Sequence, residues 1–424
     1  PFDSNYSLSI LNKFFVLALD KIIDNVSIHI TEGPGDYIPD IKFLKKYPDI
    51  YELYKKSLDS CSSSTITSRN LYPPRVVDLN SRINLLHSYG WEESEFPQEW
   101  VEDFNTYLQG ISVMSFQVKK ILIDNGVRIP ITICGLGIDH LKHIESNTNY
   151  SVNAKKFKFL HVSSCFPRKG IDVLLSAYGE AFDASDDVSL IIKTFKNPHN
   201  NIEELLKQHQ YKNPNYPHII IINEDLSNSE LKNLYLSSDV LVAPSRGEGF
   251  GLPIAEAMLL NLPVITTGWG GQTDFCNVNN SWFIDYEFTS ASSHFDLGMS
   301  YWAEPSCDHL KELMQDIFKM KRDDLMLKIA QAKLDIQNYT WNDMALKNLR
   351  FSEYISNNIK RNHPIIGWIS SWETRCGIAA YSKNLIENIH SRVNLFTPLS
   401  SNNSSLKYES VQCWQLDDGK SQDL

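Results

Sequence analysis

The sequence predicts an α/β protein built on parallel β-sheets. Apolar runs of strand length alternate with longer segments of helical period, which is the pattern of βα units. The strand-like runs lie at residues 26–31, 82–89, 110–115, 158–164, 188–195, 218–223, 239–245 and 263–267. Because 424 residues exceed one ordinary core, two to three domains are expected.

The composition restricts the class of protein. Hydrophobic residues form 42% and charged residues 21% of the chain, as in soluble globular proteins. The formal charge of -11 argues against nucleic acid as a partner, so any anion site must be built locally. The seven cysteines are widely spaced, which favours a reducing, cytoplasmic setting. The sequence shows no apolar run that could span a bilayer and no signal-peptide pattern, which agrees with that expectation.

The chain is predicted to divide into lobes. A first α/β lobe covers 1–152, with its opening strand missing, and a second covers 153–340. A helix follows at 341–362. Residues 364–424 read as a strand, a turn and a helix, which is the start of a further lobe too short to be complete. The strand at 364–371 could pair beside 26–31, although a detached tail is the expected arrangement.

One glycine-rich motif carries most of the chemical signal. In "SRGEGFGLPIAEAM", residues 245–258, a buried strand gives way to a loop, and Pro253 stands where a helix should begin. Ligands of open α/β sheets bind at the carboxyl ends of strands, beside helix N-termini that favour anions. The three loop glycines allow the backbone to approach such a ligand closely. A phosphate-bearing ligand is therefore predicted.

Two glutamates stand in the same motif. Glu248 lies in the turn and Glu256 lies on the helix that follows. Because carboxylates repel phosphate, hydroxyl groups of a sugar and of a ribose are better partners for them. That combination describes a nucleotide sugar. The alternative is structural, with Glu248 as a helix cap and Glu256 as an exposed helix residue.

Two further strand-to-helix turns support a ligand site. Arg168 and Lys169 follow the first strand of the second lobe, where adjacent cations suit a diphosphate. A solvated surface pair is the alternative. The turn "TTGWGGQTDF", residues 266–275, either shapes a sugar pocket or is a plain tight turn.

These motifs together resemble the retaining glycosyltransferases of the GT-B class called family 4. The resemblance rests on "EGFGLPIAE", which has the E-x7-E form, on "RKG", on "SSDVLVAPS" and on "CGLGID" at 134–139. It covers residues 1 to about 362. It implies two Rossmann-like lobes whose parallel sheets face a cleft, and a C-terminal helix that crosses back to the first lobe.

The resemblance also assigns roles in the second lobe. Glu248 is expected to hold the donor sugar, as a catalytic residue, and Glu256 the ribose hydroxyls. Lys169 matches the diphosphate-binding lysine. The family's arginine, five residues earlier, is replaced by Ser164, so Arg168 is the expected substitute. The main chain near the sugar and phosphate is expected at Gly249, Phe250, Gly251 and Leu252.

In the first lobe the resemblance points to the acceptor side of the cleft. Many relatives carry a histidine and an acidic residue at the end of the fourth strand. Glu92 lies just past a predicted strand and is the expected catalytic acidic residue, while His87 lies within that strand. His87 is an acceptor-side candidate, with a buried, satisfied histidine as the alternative. Arg75, in the proline turn at 69–79, is the other acceptor-side candidate.

The function implied by the resemblance is retaining transfer of a hexose, with mannose as a candidate. The expected donor is a nucleoside-diphosphate sugar, and the expected acceptor is a saccharide or lipid-linked saccharide of a bacterial surface polysaccharide such as an O-antigen of lipopolysaccharide. No cofactor or metal is expected, because no DxD motif stands near the site and "LDDG" at 416–419 reads as surface charge. Relatives often contact the inner face of the cell membrane, and such a peripheral contact stays open here.

Two other functions stay open from the sequence. A glycoside hydrolase also uses two carboxylates, although hydrolysis gives no reason for phosphate-binding turns. A non-catalytic glycan- or nucleotide-binding lobe of a larger polymerase is the second alternative. The tail "WISSWETRCGIAAYSKNL" looks like the start of a second transferase, so a second transferase domain is expected in a longer chain.

Overall fold

The computed structural model describes residues 1–4, 6–59, 64–293, 295, 297–358, 366–372, 375–389, 393–398 and 410–414. The chain divides into two units, Pro1–Ser356 and Asn357–Leu424. The first unit contains two parallel sheets that follow one another along the chain, one in each lobe. Among the described residues, no helix combines the length and the apolar character needed to cross a membrane.

The first lobe is organised by a parallel four-stranded sheet. Its elements are α1 (Ser7–Asp20), α2 (Ile41–Leu44), α3 (Pro48–Asp59), β1 (Ile66–Arg69), β2 (Ile83–Tyr89), α4 (Gln98–Tyr107), β3 (Gly110–Val113), α5 (Phe116–Asp124) and β4 (Ile131–Ile133). The strand order is β1-β2-β3-β4. Since β2 and β3 are buried along their whole length, their apolar runs were readable in the sequence, and both predicted strands are confirmed.

The predicted strand at 26–31 is wrong. No strand pairing is assigned to it within the described part of the chain, and the amide of Ile28 bonds instead to the carbonyl of Leu53 in α3, at 3.2 Å. Val26 and Ile30 are buried with apolar residues of α1 and α3. The alternation of apolar and polar residues in this segment therefore reflects packing against helices.

The second lobe is organised by a parallel sheet of six strands. Its elements are β5 (Phe157–Val162), α6 (Ile171–Ala181), β6 (Val188–Lys193), α7 (Ile202–Lys212), β7 (His218–Ile222), α8 (Asn228–Leu236), β8 (Val240–Ala243), α9 (Leu252–Leu259), β9 (Val264–Thr267), β10 (Trp282–Ile284), β11 (Tyr286–Ser290), β12 (Tyr301–Pro305), α10 (Cys307–Lys319) and α11 (Arg322–Ile336). The sheet order is β10-β9-β8-β5-β6-β7. The order reverses between β5 and β8, and a ligand crevice is expected at that point, outside the carboxyl ends of the strands.

The strands and helix starts of this sheet follow from local signals. Phe159 and Leu160, neighbours on β5, pack into separate apolar clusters, which is what alternation across a buried strand produces. A capping box opens α8, where Ser227 Oγ accepts from the amide of Glu230 and Glu230 Oε2 accepts from the amide of Ser227. The antiparallel hairpin of β11 and β12 was not predicted.

The last helix of the first unit, α12 (Trp341–Asn358), returns to the first lobe. Phe351 and Ile355 pack where Gly110 of β3 has no side chain. Ser112 Oγ, also on β3, donates to Asn348 Oδ1 at 2.5 Å. The predicted crossing of the C-terminal helix back to the first lobe is therefore confirmed.

The second unit contains a small parallel sheet. Its elements are β13 (Ile366–Ile369), α13 (Gly377–Glu387), β14 (Val393–Pro398) and β15 (Ser410–Trp414), with the strand order β13-β14-β15. β13 and α13 agree with the predicted strand and helix, and β14 was not predicted. β13 pairs with β14, and the strand pairings of the described residues include none between β13 and 26–31. The "LDDG" segment lies outside the described residues.

Candidate active site

The turn that carries Arg168 and Lys169 lies at the switch between β5 and β8. Residues 167–169 form one turn of 3-10 helix, and α6 begins two residues after Lys169. Gly170 adopts the left-handed conformation, with φ of 64°. A Cβ at Gly170 would lie 2.0 Å from the carbonyl oxygen of Pro244, so only glycine lets this turn rest on the end of β8. The turn is thereby held against the glycine-rich motif.

Glu248 is buried in that motif and is paired with the basic turn. Its Oε1 accepts from Lys169 Nζ at 2.5 Å and from Ser245 Oγ at 2.7 Å, and Arg168 Nη1 lies 3.8 Å from its Oε2. Burial acts to raise the pKa of Glu248, but the charges of Lys169 and Arg168 outweigh it and hold the pKa below its ordinary value. Burial and the charge of Arg168 lower the pKa of Lys169.

Glu92 reaches the same cluster from the first lobe. Its Oε1 lies 3.1 Å from Arg168 Nη2, and Arg168 Nη1 donates to the carbonyl of Gly247 at 3.2 Å. A Cβ at Gly247 would lie 2.5 Å from the carbonyl oxygen of Glu92, so the backbones of the two lobes touch here. Of the sequence-predicted residues, the structure therefore brings together Glu92, Arg168, Lys169 and Glu248.

The predicted main-chain site lies at the start of α9. Gly251 has φ of 88°, and Leu252 and Pro253 open the helix without a side-chain cap. The amide of Gly271, in the third glycine-rich turn, donates to the carbonyl of Glu248 at 2.7 Å. Gly249 and Phe250 lie between these points, with the Phe250 ring buried against Phe275. The turn at 268–271 therefore supports the segment that carries Glu248.

Glu256 lies in different surroundings from Glu248. It is 4% exposed, its Oε2 accepts from Tyr235 Oη at 2.8 Å, and its Oε1 lies 3.0 Å from His140 Nε2. His140 belongs to the segment that joins the two lobes. A ribose hydroxyl would have to share the Glu256 carboxylate with Tyr235 and His140. The predicted role of Glu256 in binding the ribose therefore stays a prediction. Nothing in the local sequence signalled Tyr235 or His140, because α8 and the interlobe segment meet α9 only in the fold.

His87 is buried, and both of its ring nitrogens have polar partners. It is 5% exposed, its Nδ1 lies 2.9 Å from Ser68 Oγ and its Nε2 lies 2.8 Å from Asn12 Oδ1. Its ring stacks on Phe15, and burial lowers its pKa to about 3. The alternative of a buried, hydrogen-bonded histidine agrees with these contacts, and a role for His87 toward the acceptor stays a prediction.

Arg75 is engaged within the first lobe. Its Nη2 donates to Thr31 Oγ1 at 2.5 Å and to Asp36 Oδ1 at 2.9 Å, and it lies 3.1 Å from Asp78 Oδ2. These contacts hold the loop around Asp36 against the proline turn. A role for Arg75 toward the acceptor stays a prediction.

Arg246 is a site-forming residue that the sequence analysis missed. It is 6% exposed and forms paired hydrogen bonds to Asp172 at 2.8 and 2.9 Å and to Glu304 at 2.6 Å. It also donates to the carbonyl of Pro167. A planar guanidinium suits this double carboxylate contact. Arg246 thus fixes the basic turn to the first turn of α6 and to the hairpin.

The hairpin of β11 and β12 reaches from the second lobe to the first. The amide of Tyr301 donates to Ser94 Oγ at 2.7 Å, and the amide of Ser94 donates to the carbonyl of Tyr301 at 3.2 Å. Ser300 Oγ donates to Glu93 Oε2 at 3.0 Å. The hairpin therefore holds the loop that carries Glu92. The sequence gave no signal for this contact between distant segments.

Comparison with known proteins gives sequence matches over the second lobe and beyond. Residues 144–287 match the family described as glycosyl transferases group 1. An uncharacterized glycosyltransferase of Methanocaldococcus jannaschii is 31% identical over 275 residues, which cover 61% of this chain and 71% of that protein. The serotype-specific mannosyltransferase WbdA of Escherichia coli is 33% identical over 107 residues, 25% of this chain but only 13% of that protein.

A solved structure bears on the fold. The sucrose-phosphate synthase of Thermosynechococcus elongatus superposes with a TM-score of 0.58 at 16% identity, over 84% of this chain and 94% of that chain. At this identity the likeness concerns the fold alone. Together with the two parallel sheets and the returning α12, it confirms the predicted GT-B class.

Proposed function

This chain belongs to the group 1 glycosyltransferases, and we propose that it moves a hexose from a nucleoside-diphosphate sugar to a saccharide acceptor with retention of anomeric configuration. One observation carries the proposal. Two cations from the end of β5, Arg168 and Lys169, converge with Glu248 of the second lobe and Glu92 of the first at the sheet's switch point. A charged donor and a hydroxylic acceptor are the substrates that suit this set.

The proposed donor lies in the second lobe, residues 153–340, and the acceptor in the first, residues 1–152. Lys169, Arg168 and the N-terminal turn of α9 would receive the diphosphate, since cations and helix N-termini both favour anions. In this proposal the positive charge that balances the leaving diphosphate comes from these protein groups and not from a metal ion. Transfer is therefore expected to persist in a chelator.

Glu248 changes partner in the proposed reaction. Its ion pair with Lys169 keeps two buried charges compensated before the donor arrives. When the diphosphate occupies Lys169, Glu248 accepts from hydroxyl groups of the donor sugar. The backbone around Gly249 and Gly251 gives the sugar close access, and Glu256, held by Tyr235 and His140, would accept from the ribose.

The proposed transfer breaks the bond from the anomeric carbon to the diphosphate and forms a bond to the acceptor oxygen on the same face. The acceptor's proton leaves with the diphosphate, whose new negative charge lies beside Lys169 and Arg168. Glu92, at the same junction, would orient the acceptor hydroxyl. In this proposal the close approach of the lobes at Gly247 and Glu92 would keep water from consuming the donor.

The biological setting follows the relatives. Because one is named a serotype-specific mannosyltransferase, we propose a bacterial surface polysaccharide as the product and mannose as the first sugar to test. The reaction would take place in the cytoplasm, with a lipid-linked saccharide as one acceptor class and the inner membrane face as its site. The small parallel sheet of the second unit would belong to a second transferase domain.

A donor screen tests the proposal. The protein is incubated with nucleoside-diphosphate sugars labelled in the sugar, beginning with mannose donors, and the products are analysed by mass spectrometry and NMR. We expect label on the acceptor with retained configuration. Lys169→Ala and Glu248→Gln should each lower the rate by at least about 100-fold. Lys120→Ala, at an exposed pair with Asp124, should leave the rate unchanged.

Two outcomes would contradict the proposal. Release of free sugar from a glycoside, without any nucleotide donor, would identify a hydrolase. Binding of a nucleoside diphosphate without turnover of any donor would identify a non-catalytic binding lobe.

A further inference from the structure

A group of aromatic rings borders the cluster of Glu92 and Arg168. Trp91 precedes Glu92, and its ring lies 4.9 Å from that of Phe295 in the loop of the β11-β12 hairpin. Trp100 of α4 lies 5.7 Å from both Trp91 and Phe295. The rings thus come from both lobes, and they meet where the hairpin contacts the loop around Glu93.

Tyr72 differs from the buried members of this group. Its ring meets Trp100 and Phe295 edge to face, at 6.3 and 6.0 Å, yet the residue is 42% exposed. Trp91, in contrast, is 2% exposed. An aromatic ring that is fixed by its neighbours but still open to solvent offers a preorganised apolar surface.

The charges of the proposed site also reach Tyr72. Burial, followed by the charges of Glu92 and Glu93, raises the pKa of Tyr72 to about 12, while Arg168 acts in the opposite direction. Tyr72 therefore carries a neutral hydroxyl at neutral pH, which can donate a hydrogen bond.

We propose that Tyr72, framed by Trp100 and Phe295, which also contact Trp91 in the loop that carries Glu92, forms a subsite for a saccharide ring of the acceptor. The C–H face of a pyranose packs on an aromatic ring, and its hydroxyl groups donate to neighbouring carboxylates. An aromatic ring and carboxylates are both present here, at the border of the two lobes. The inference rests on the proposed function, because it assigns the acceptor a place next to the proposed donor.

Contributions from both lobes give the subsite a further property. Phe295 comes from the hairpin, which is bonded to the first lobe through Ser94 and Glu93. The ring group is therefore complete only when the hairpin rests on the first lobe. Acceptor binding and the contact between the lobes are expected to support each other.

Saturation-transfer NMR tests the subsite without knowledge of the donor. The probes are methyl α-D-mannopyranoside and the corresponding glucoside and galactoside, each added to the full chain. We expect saturation of ring C–H protons of at least one probe with the wild type and with Tyr72→Phe, which keeps the ring. Tyr72→Ala should lose most of that signal. Tyr211→Ala, at a tyrosine that is 89% exposed on α7, is the matched control and should keep it.

Kinetics extend the test once the donor screen has identified a pair of substrates. Tyr72→Ala should raise the acceptor KM about tenfold, while the donor KM and the slow hydrolysis of donor without acceptor stay within twofold of the wild type. An unchanged NMR signal in Tyr72→Ala, or no signal in the wild type, would overturn the subsite. Failure of the wild type to bind any nucleoside diphosphate would instead overturn the proposed donor function, and the NMR result would still decide on Tyr72.

Discussion

The buried pair of Lys169 and Glu248 links stability to ligand binding at the level of single residues. Their side chains are 12% and 9% exposed, so each charge depends on the other. Removing one partner of such a pair leaves an uncompensated charge, which costs far more than removing both. The site is therefore expected to be sensitive to single substitutions and tolerant of a matched double one.

We expect Lys169→Met to lower the free energy of unfolding by about 3 kcal/mol. Lys169→Met combined with Glu248→Gln should recover most of that loss, because neither member of the pair is then charged. Urea unfolding measures both. Lys120→Met, at the exposed pair with Asp124, is the control and should cost less than about 1 kcal/mol. Equal losses of unfolding free energy in Lys169→Met and Lys120→Met would contradict the description of Lys169 and Glu248 as a buried pair.

His87 gives stability a defined pH dependence. Its pKa is about 3 in the folded protein, because burial disfavours the charged ring, against an ordinary value of 6.5. The contribution of neutral His87 to the free energy of unfolding is complete above pH 6.5. It is lost as the pH falls from 6.5 toward 3, since in that range only the unfolded chain takes up the proton. The expected slope from this residue is about 1.4 kcal/mol per pH unit.

Denaturant unfolding at pH values from 7 to 4 measures that slope. His87→Gln keeps hydrogen-bonding groups for Asn12 and Ser68. It should reduce the slope of the unfolding free energy with pH by about 1.4 kcal/mol per pH unit. His161 is also buried, with a pKa lowered to about 4, so part of the slope should remain. An unchanged slope in His87→Gln would show that His87 does not stay neutral in the folded protein.

Part of the site was readable residue by residue. Arg168, Lys169 and Glu248 follow apolar runs of the second lobe, so their position at one edge of that sheet followed from the parallel topology. Glu92 follows β2 of the first lobe's sheet, and its meeting with them is a result of the fold. Arg246 was missed, because its partners Asp172 and Glu304 are distant in sequence. The partners of His87 were not predictable, because an apolar run does not show which polar residues its histidine will meet.

At the scale of elements, the predictable parts are those with local signals. The buried strands, the capping box of α8 and the proline at the start of α9 each carry their own pattern. β1 and β4 are short, at four and three residues, and were not predicted. The false strand at 26–31 had the right alternation but packs against helices. Periodicity reports a buried face, and the fold decides what covers it.

The turn between β5 and α6 can be tested by adding one methyl group. Gly170→Ala places a Cβ in the left-handed conformation, which alone costs about 1–2 kcal/mol, and directs it at the carbonyl of Pro244. We expect a loss above about 2 kcal/mol in unfolding free energy. Binding of nucleoside diphosphates, measured by calorimetry, should weaken as Arg168 and Lys169 move.

Gly126→Ala is the control for the backbone conformation alone. Gly126 has φ of 99°, but its nearest neighbour, Val101 Cγ1, would lie 3.8 Å from the new Cβ. It should show the conformational cost and unchanged ligand binding. A smaller loss in Gly170→Ala than in Gly126→Ala would contradict the close approach of this turn to β8.

At the scale of the whole molecule, the lobes meet through backbone at Gly247 and Glu92 and through the hairpin. Gly247→Ala would bring a Cβ to 2.5 Å from the carbonyl of Glu92, which neither backbone can avoid without separation. We expect a larger radius of gyration in X-ray scattering and a transfer rate at least about tenfold lower. Nucleoside-diphosphate binding should be affected much less.

Gly298→Ala provides the matched control, because no heavy atom of the described residues lies within 4 Å of its added Cβ. It should match the wild type in scattering and in rate. If Gly247→Ala transfers sugar at the wild-type rate, the contact between the lobes is not required for the reaction. The interlobe contacts were not predictable, because no sequence pattern relates residues near 94 to residues near 301.

The return of α12 to the first lobe has a consequence for how the protein is made. Phe351 and Ile355 cover β3, so the first lobe lacks part of its apolar cover until those residues leave the ribosome. By then the whole second lobe has already been synthesised and can fold as a unit. The lobe that is encoded first is thus completed last.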